Sequence, residues 1–197
     1  MACVVYSTIP SFWLMIHPFA ELWRRRRDSP YRVLVPLWMA MWFVVGAIIW
    51  RWRHIELYGT WWTWVAACGL FGIGIWLYVQ SGKKFSGAQL GGLPEVRRTA
   101  QAPRLVTSGI RARVRHPVYL AHLCEMLAWS IGSGLAVCFA LTMFAIVTGA
   151  VMMRMEDAEL ELRFGDDYRE YRRRVPAITP RLRWSARGRK SDSPRVL

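Results

Sequence analysis

The sequence is poor in acid and in cysteine. It holds 13 Asp and Glu against 27 Lys and Arg, and 4 cysteines in 197 residues. Cys3, Cys68, Cys124 and Cys138 are scattered, with no CxxC pair and no Cys/His spacing of a zinc site. Neither a disulfide framework nor a metal centre is expected. The cysteines read as small buried apolar side chains. The N-terminus lacks the basic lead of a secretory signal, and Pro10, His17 and Glu21 interrupt its apolar run. A dinucleotide loop is missing too. Gly69, Gly72 and Gly74 run as GxxGxG with no strand before them, not as GxGxxG after one. Close helix packing is the expected reading of those glycines.

Apolar residues are abundant. They make up 54% of the chain, with 12 Trp and a net charge of +14. The charge alone suits nucleic acid or an anionic membrane surface. The apolar runs decide for the membrane, because a soluble nucleic-acid binder needs no stretches of membrane length. At this length one domain is expected, over residues 1–180, followed by a basic, disordered tail at 181–197.

Residues 3–23 are apolar but broken by Pro10 and Pro18, so they read either as a kinked span or as a helix lying in the interface. Val33 to Trp50 carries no charge and has the length of a span. Trp61 to Val79 is a second span, opened by Trp61, Trp62 and Trp64, which suit a headgroup layer. Residues 80–117 form a long polar connector, of a length that is usually functional or disordered. Val118 to about Ile131 is a third apolar segment, and Gly132-Ser133-Gly134 marks a tight turn. Leu135 to Met153 is a fourth. Beyond it, Leu160, Phe164, Tyr168 and Tyr171 keep helical spacing across 156–174. The fold class expected is an all-α integral membrane protein with four or five transmembrane helices.

Charge tests the topology. With four spans, 25 of the 27 Lys and Arg fall on one side, in 24–32, 80–117 and 154–197. The positive-inside tendency makes that side cytoplasmic. It also makes the polar connector and the polar C-terminal stretch neighbours. Basic residues there, above all those from Arg181 on, are expected to meet anionic lipid headgroups.

Ionisable groups in apolar runs are costly and need a reason. His116, Tyr119, His122 and Glu125 recur every third residue along the third segment, so they form a slowly drifting helical stripe. His122 and Glu125 read either as a pair satisfied between packed helices or as part of a substrate cleft. His116 and Tyr119 stand at the mouth of the helix, with Pro117 suited to its first position. A helix start offers unpaired N–H groups to an anionic ligand group.

The stretch LVTSGIRARVRHPVY, residues 105–119, resembles the signature of the isoprenylcysteine carboxyl methyltransferase family. That family sits within a wider set of small membrane methyltransferases that includes phospholipid N-methyltransferases. Leu105, Val106, Thr107 and Gly109 match its first part, and Arg115, His116, Pro117 and Tyr119 its Arg-His-Pro-x-Tyr motif. Glu156, Asp157, Leu160, Phe164, Gly165, Tyr168, Tyr171, Val175 and Pro176 resemble its second block. The resemblance covers about residues 82–180, the catalytic half; the first 80 residues share only hydropathy.

The resemblance implies S-adenosylmethionine as cofactor, in a cytoplasmic pocket built from the connector and the C-terminal helix. It implies cofactor contacts at Gln89, Pro103, Arg104, Leu105, Val106, His116, Pro117, Val118, Tyr119 and Glu156. A carboxylate such as Glu156 can pair with the cofactor's ammonium, and a helix start with its carboxylate. Methyl transfer is a displacement that needs alignment more than acid–base help. An acidic acceptor would want a cation, for which Arg154 is the candidate. An amine would want a proton acceptor, for which Glu125, Tyr119 and His122 are candidates. The implied acceptor is a lipophilic molecule or lipid entering between helices. Two positions depart from the family pattern: Arg111 stands where Tyr is frequent, and Asp157 stands for a second glutamate. Two rival readings are an NADPH-dependent sterol-type reductase and a non-catalytic basic membrane anchor. Sterol-type reductases usually have Asn before the Tyr, where this chain has Val118.

Overall fold

A computed structural model describes residues 1–25, 28–83 and 105–179. The connector residues 84–104, which include Gln89, Pro103 and Arg104, and the tail from 180 on lie outside the described residues. The elements, in chain order, are α1 (Ala2–Ser7), α2 (Ile9–Leu14), a 3-10 turn (His17–Phe19), α3 (Ala20–Arg25), α4 (Tyr31–Ile49), α5 (Thr63–Gly82), a 3-10 turn (Gly109–Ala112), α6 (Pro117–Ser133), α7 (Ala136–Phe164) and α8 (Asp166–Arg174). The fold is all-α. Four stretches have the length and apolarity to cross a membrane: Ala2–Phe19, Tyr31–Trp52, Thr63–Gly82 and Ala136–Phe164. The fifth apolar helix, α6, has 17 residues.

The N-terminal segment traverses the bundle rather than lying across one face of it. Val4 shares a core cluster with Met126, Val137, Cys138, Leu141 and Ala145. Pro10 lies beside Gly149, and His17 bonds to Glu159 at 2.6 Å. The segment therefore runs parallel to α7 along its length. Its helix breaks at Thr8, whose side chain bonds back to the Val5 carbonyl, and restarts with Pro10 in the first turn of α2. Trp38 of α4 donates to the Thr8 carbonyl at 3.2 Å, and Gly46 lies near Met1, so α4 returns antiparallel. Its outer residues Leu37, Phe43, Val44 and Ile48 are exposed, as suits contact with lipid.

α5 and α6 lie antiparallel and close. Gly132 of α6 faces Trp64 and Ala67, while Gly74 of α5 faces Ala121 and Glu125. A Cβ at Gly74 would stand 2.7 Å from Glu125 Cγ, so glycine makes the room that the carboxylate occupies. Gly69 and Gly72 have nothing within 4 Å and are exposed. The expectation of close packing therefore holds at Gly74 and fails at the other two, which sit on the outer face of α5. Similarly, Cys138 is buried and Cys3 and Cys124 are half-buried, but Cys68 is exposed.

α6 ends in Gly134, whose φ of 65° is left-handed. The backbone there pairs with the connector after α4: Leu57 N–H donates to the Gly134 carbonyl at 2.8 Å, and Ala136 N–H to the Ile55 carbonyl at 2.9 Å. Trp50, Trp52, Trp61 and Trp62 stand exposed in that connector, as an aromatic belt at this end of the bundle. α7 then returns for 29 residues, about 43 Å on helical rise, which exceeds a hydrocarbon core of about 30 Å. Its polar last third therefore projects past the apolar layer. The regular spacing across 156–174 predicts one helix, but Gly165 breaks it with φ 57° and ψ −128°, and α8 starts in a new direction.

Gly134→Ala should be poorly tolerated, because the new Cβ would meet the Tyr58 carbonyl at 2.1 Å in a left-handed conformation. A loss of about 1–3 kcal/mol is expected. Thermal unfolding in detergent should show it, with Gly69→Ala close to wild type.

Candidate functional site

The start of α6, the projecting end of α7 and the start of α8 meet at the polar end of the bundle. Arg115 and His116 stand just ahead of α6. Their backbone is tied to the chain after α8: Arg115 N–H donates to the Pro176 carbonyl at 2.9 Å, and His116 N–H to the Ala177 carbonyl at 3.0 Å. Adjacent cations are thus brought down onto the adjacent carboxylates Glu156 and Asp157 of α7.

Asp157 is the centre of this cluster. Its Oδ2 accepts from Arg115 Nη2 at 2.7 Å, and its Oδ1 accepts from His116 Nε2 at 2.9 Å. Oδ1 also accepts from the Tyr168 hydroxyl of α8. Arg115 Nη1 donates to the carbonyls of Val175 at 2.7 Å and Arg172 at 3.1 Å. Arg115, His116 and Asp157 are all buried, and Tyr168 is 1% exposed. Burying such charges is tolerable only because each is paired and hydrogen-bonded.

His116 is bonded through both ring nitrogens. Nδ1 stands 3.2 Å from Glu156 Oε2, opposite the Nε2 contact to Asp157. Both nitrogens donate only in the imidazolium form. Burial opposes that charge, but the hydrogen bonds to Asp157 and Glu156 outweigh it and raise the pKa from the usual 6.5 to about 9. The Tyr168 hydroxyl is pushed up by burial and by its bond to the Asp157 carboxylate.

The residues named from the sequence divide. His116 stands just before α6 without capping it through its side chain, Pro117 opens it, and Tyr119 sets its ring edge-on to His116 with centroids 6.1 Å apart. Leu105 and Val106 are half-buried outside any helix, and Leu105 packs on Tyr168, Tyr171 and Val175. Glu156 joins the cluster through His116. Arg154 does not: it is exposed and pairs with no carboxylate among the described residues. Glu125 lies deeper in α6, against Gly74 and apart from the ionic cluster. Arg111 has a place of its own. Its Nη1 donates to the Arg115 carbonyl at 3.0 Å, and its carbonyl accepts from the Tyr171 hydroxyl at 2.7 Å. It fastens the loop that delivers Arg115 and His116.

Sequence reasoning missed Asp157 as the hub, and with it Arg115 and Tyr168 as site residues. An Arg-His pair that must be buried demands two carboxylates, and Glu156-Asp157 is the dipeptide that offers them. It also missed the tie between His17 and Glu159, which are 142 residues apart.

The sign of the pH dependence follows from His116. Its pKa is raised in the fold, so its contribution is complete below about 6.5 and is lost as pH rises through about 9. The unfolding midpoint should fall over that window, and His116→Gln should flatten the fall. Asp157→Asn should cost about 3–5 kcal/mol by stranding Arg115 and His116. Denaturant unfolding should show that loss at neutral pH.

Two relatives each match about two fifths of the chain. Methanethiol S-methyltransferase 2 of Bradyrhizobium diazoefficiens is 38% identical over 86 residues, covering 43% of this chain and 32% of that protein. Protein-S-isoprenylcysteine O-methyltransferase of Homo sapiens is 36% identical over 85 residues, covering 39% of this chain and 27% of that protein. The match thus spans less than a third of either relative's length. No family model matches the chain. No solved structure matches it. Over the matched part, the chain is similar to the isoprenylcysteine carboxyl methyltransferase-like proteins, as its motifs imply.

Proposed function

We propose that the chain transfers a methyl group from S-adenosylmethionine to a lipophilic acceptor at a membrane surface. The observation that carries this reading is the docking of Arg115-His116 onto Glu156-Asp157 beside an uncapped helix start. Three features there fit the cofactor's charged end. Glu156 spends Oε2 on His116 and keeps a second oxygen, which suits an ammonium. No side chain caps α6, so the Val118 and Tyr119 N–H groups remain as donors for a carboxylate. The Leu105–Thr107 backbone carries no hydrogen bond to other described residues, and Leu105 packs beside Tyr168.

S-adenosylmethionine, when bound, supplies an electrophilic methyl group on its sulfonium. The protein's part is placement. The His116 imidazolium fixes the Glu156 carboxylate, Asp157 fixes the imidazole, and Pro117 sets the start of α6 against both. Gln89, Pro103 and Arg104 complete the cofactor set on the resemblance. Tyr119 and Glu125 face the acceptor's side in this reading, and Arg154 is the cation an acidic acceptor would meet. The basic end of the bundle is cytoplasmic on the charge distribution, so the cofactor arrives from that side and the acceptor from the lipid. The relatives' names include a thiol in one case and isoprenylcysteine in the other, so they do not converge on one acceptor.

Labelled S-adenosylmethionine should bind the purified full chain in equilibrium dialysis. Glu156→Gln should weaken it about 10–100-fold, the worth of one charge-assisted hydrogen bond. Asp166→Ala, on an exposed side chain, should leave it unchanged. Binding of NADPH in place of S-adenosylmethionine would overturn the reading.

A further inference from the structure

A second polar cluster lies inside the bundle, and the ionic site does not use it. His122 and Glu125 of α6 are each 5% exposed. They do not form the pair that their spacing suggests. The Tyr6 hydroxyl of α1 interacts with Glu125, whose side chain lies over Gly74. His122 stacks on the Tyr6 ring with centroids 5.2 Å apart. Neither of its ring nitrogens has a hydrogen-bond partner among the described residues. The Tyr6 backbone comes near the ring without the geometry of a hydrogen bond. A buried polar group left unpaired is expensive, and an imidazole among apolar helices has no reason to be there as packing.

The cluster is linked to the ionic site. His122 is six residues beyond His116, about 9 Å along the helix. Tyr119, one turn before His122, sets its ring edge-on to His116, so polar side chains follow one another along α6 from the bundle interior to its polar mouth.

We infer that His122, Glu125 and Tyr6 form the site for the acceptor's head group, a neutral hydroxyl or thiol on an apolar body. The inference rests on the methyltransferase reading for the word acceptor, but the binding site stands apart from it. A neutral imidazole offers a lone pair to an O–H or S–H donor. A charged head would have to shed its hydration in this buried, apolar setting, which a neutral head does not. The apolar body enters between helices, where the surroundings are lipid.

The test compares ligands that share one alkyl chain: octane, octanol, octanethiol, octylamine and octanoate. Each is measured by competition against labelled octanol on the purified full chain in detergent. Octanol or octanethiol should bind about 10-fold tighter than octane, and the two arms separate the oxygen from the sulfur head. His122→Phe should abolish that preference while labelled S-adenosylmethionine binds as in wild type. Where His122→Phe loses helix content by circular dichroism, His122→Gln decides, and it should keep part of the preference. Equal binding of octane and octanol overturns the inference, as does octanoate or octylamine binding more tightly than both protic neutral ligands. A head-group preference that survives His122→Phe overturns it too. A preference that depends on His122 in a chain that binds no S-adenosylmethionine supports this site and removes the methyltransferase reading.

Discussion

Asp157 holds the polar end of this protein together. Two cations adjacent in sequence, Arg115 and His116, are buried against it, and the Tyr168 hydroxyl completes its bonding. The partners come from two separate parts of the chain, α8 and the residues just before α6. The requirement shapes what surrounds it. α7 must overrun the apolar layer to carry Asp157 out of it. The chain must turn at Gly165 so that α8 brings Tyr168 back. Residues 176–177 must then lie beside 115–116 to take their N–H groups. In a poorly solvated site, removing any one of these partners leaves the rest charged or unpaired, so the cluster forms as a unit.

The two ends of the bundle are built on different physics. The far end is closed by backbone pairing around Gly134 and by exposed tryptophans, with few charges. The near end is ionic and keeps donors and acceptors that the fold does not consume. Between them the α6–α7 crossing is fully satisfied: Ser130 Oγ lies 2.7 Å from Thr142 Oγ1, and both reach the Met126 carbonyl. His122 is the contrast, on the same helix but facing α1, with both ring nitrogens unpaired among the described residues.

Much of this was legible in the sequence because the bilayer imposes length. The uncharged runs at 33–50, 61–79 and 135–153 became helices in place, and the two motif blocks meet as the charge distribution requires. Less local features were not legible. Pro10 and Pro18 show where the first segment bends, but its course parallel to α7 depends on Val4, Pro10 and His17 finding partners more than 130 residues away. Gly69, Gly72 and Gly74 look alike in sequence, yet only Gly74 lies on the α6 side of its helix. Arg154 was implied by the resemblance as a cation for the acceptor; two helical positions from Glu156, or about 200° of rotation, it stands exposed and outside the ionic cluster.

Glu156 and Asp157 show why adjacency in sequence gives division of labour. Successive residues on a helix differ by about 100°, so two carboxylates side by side cannot serve one partner equally. The His116 ring resolves this by standing between them, one nitrogen to each. Asp157 is turned into the fold, and the protein saturates it. Glu156 is turned toward the start of α6, and among the described residues only His116 bonds to it. The structural carboxylate thereby orients the one that remains available, through the imidazolium they share. A rigid, half-satisfied carboxylate beside uncapped N–H donors is what a zwitterionic ligand needs, and a solvated charge run on a free helix would not provide it.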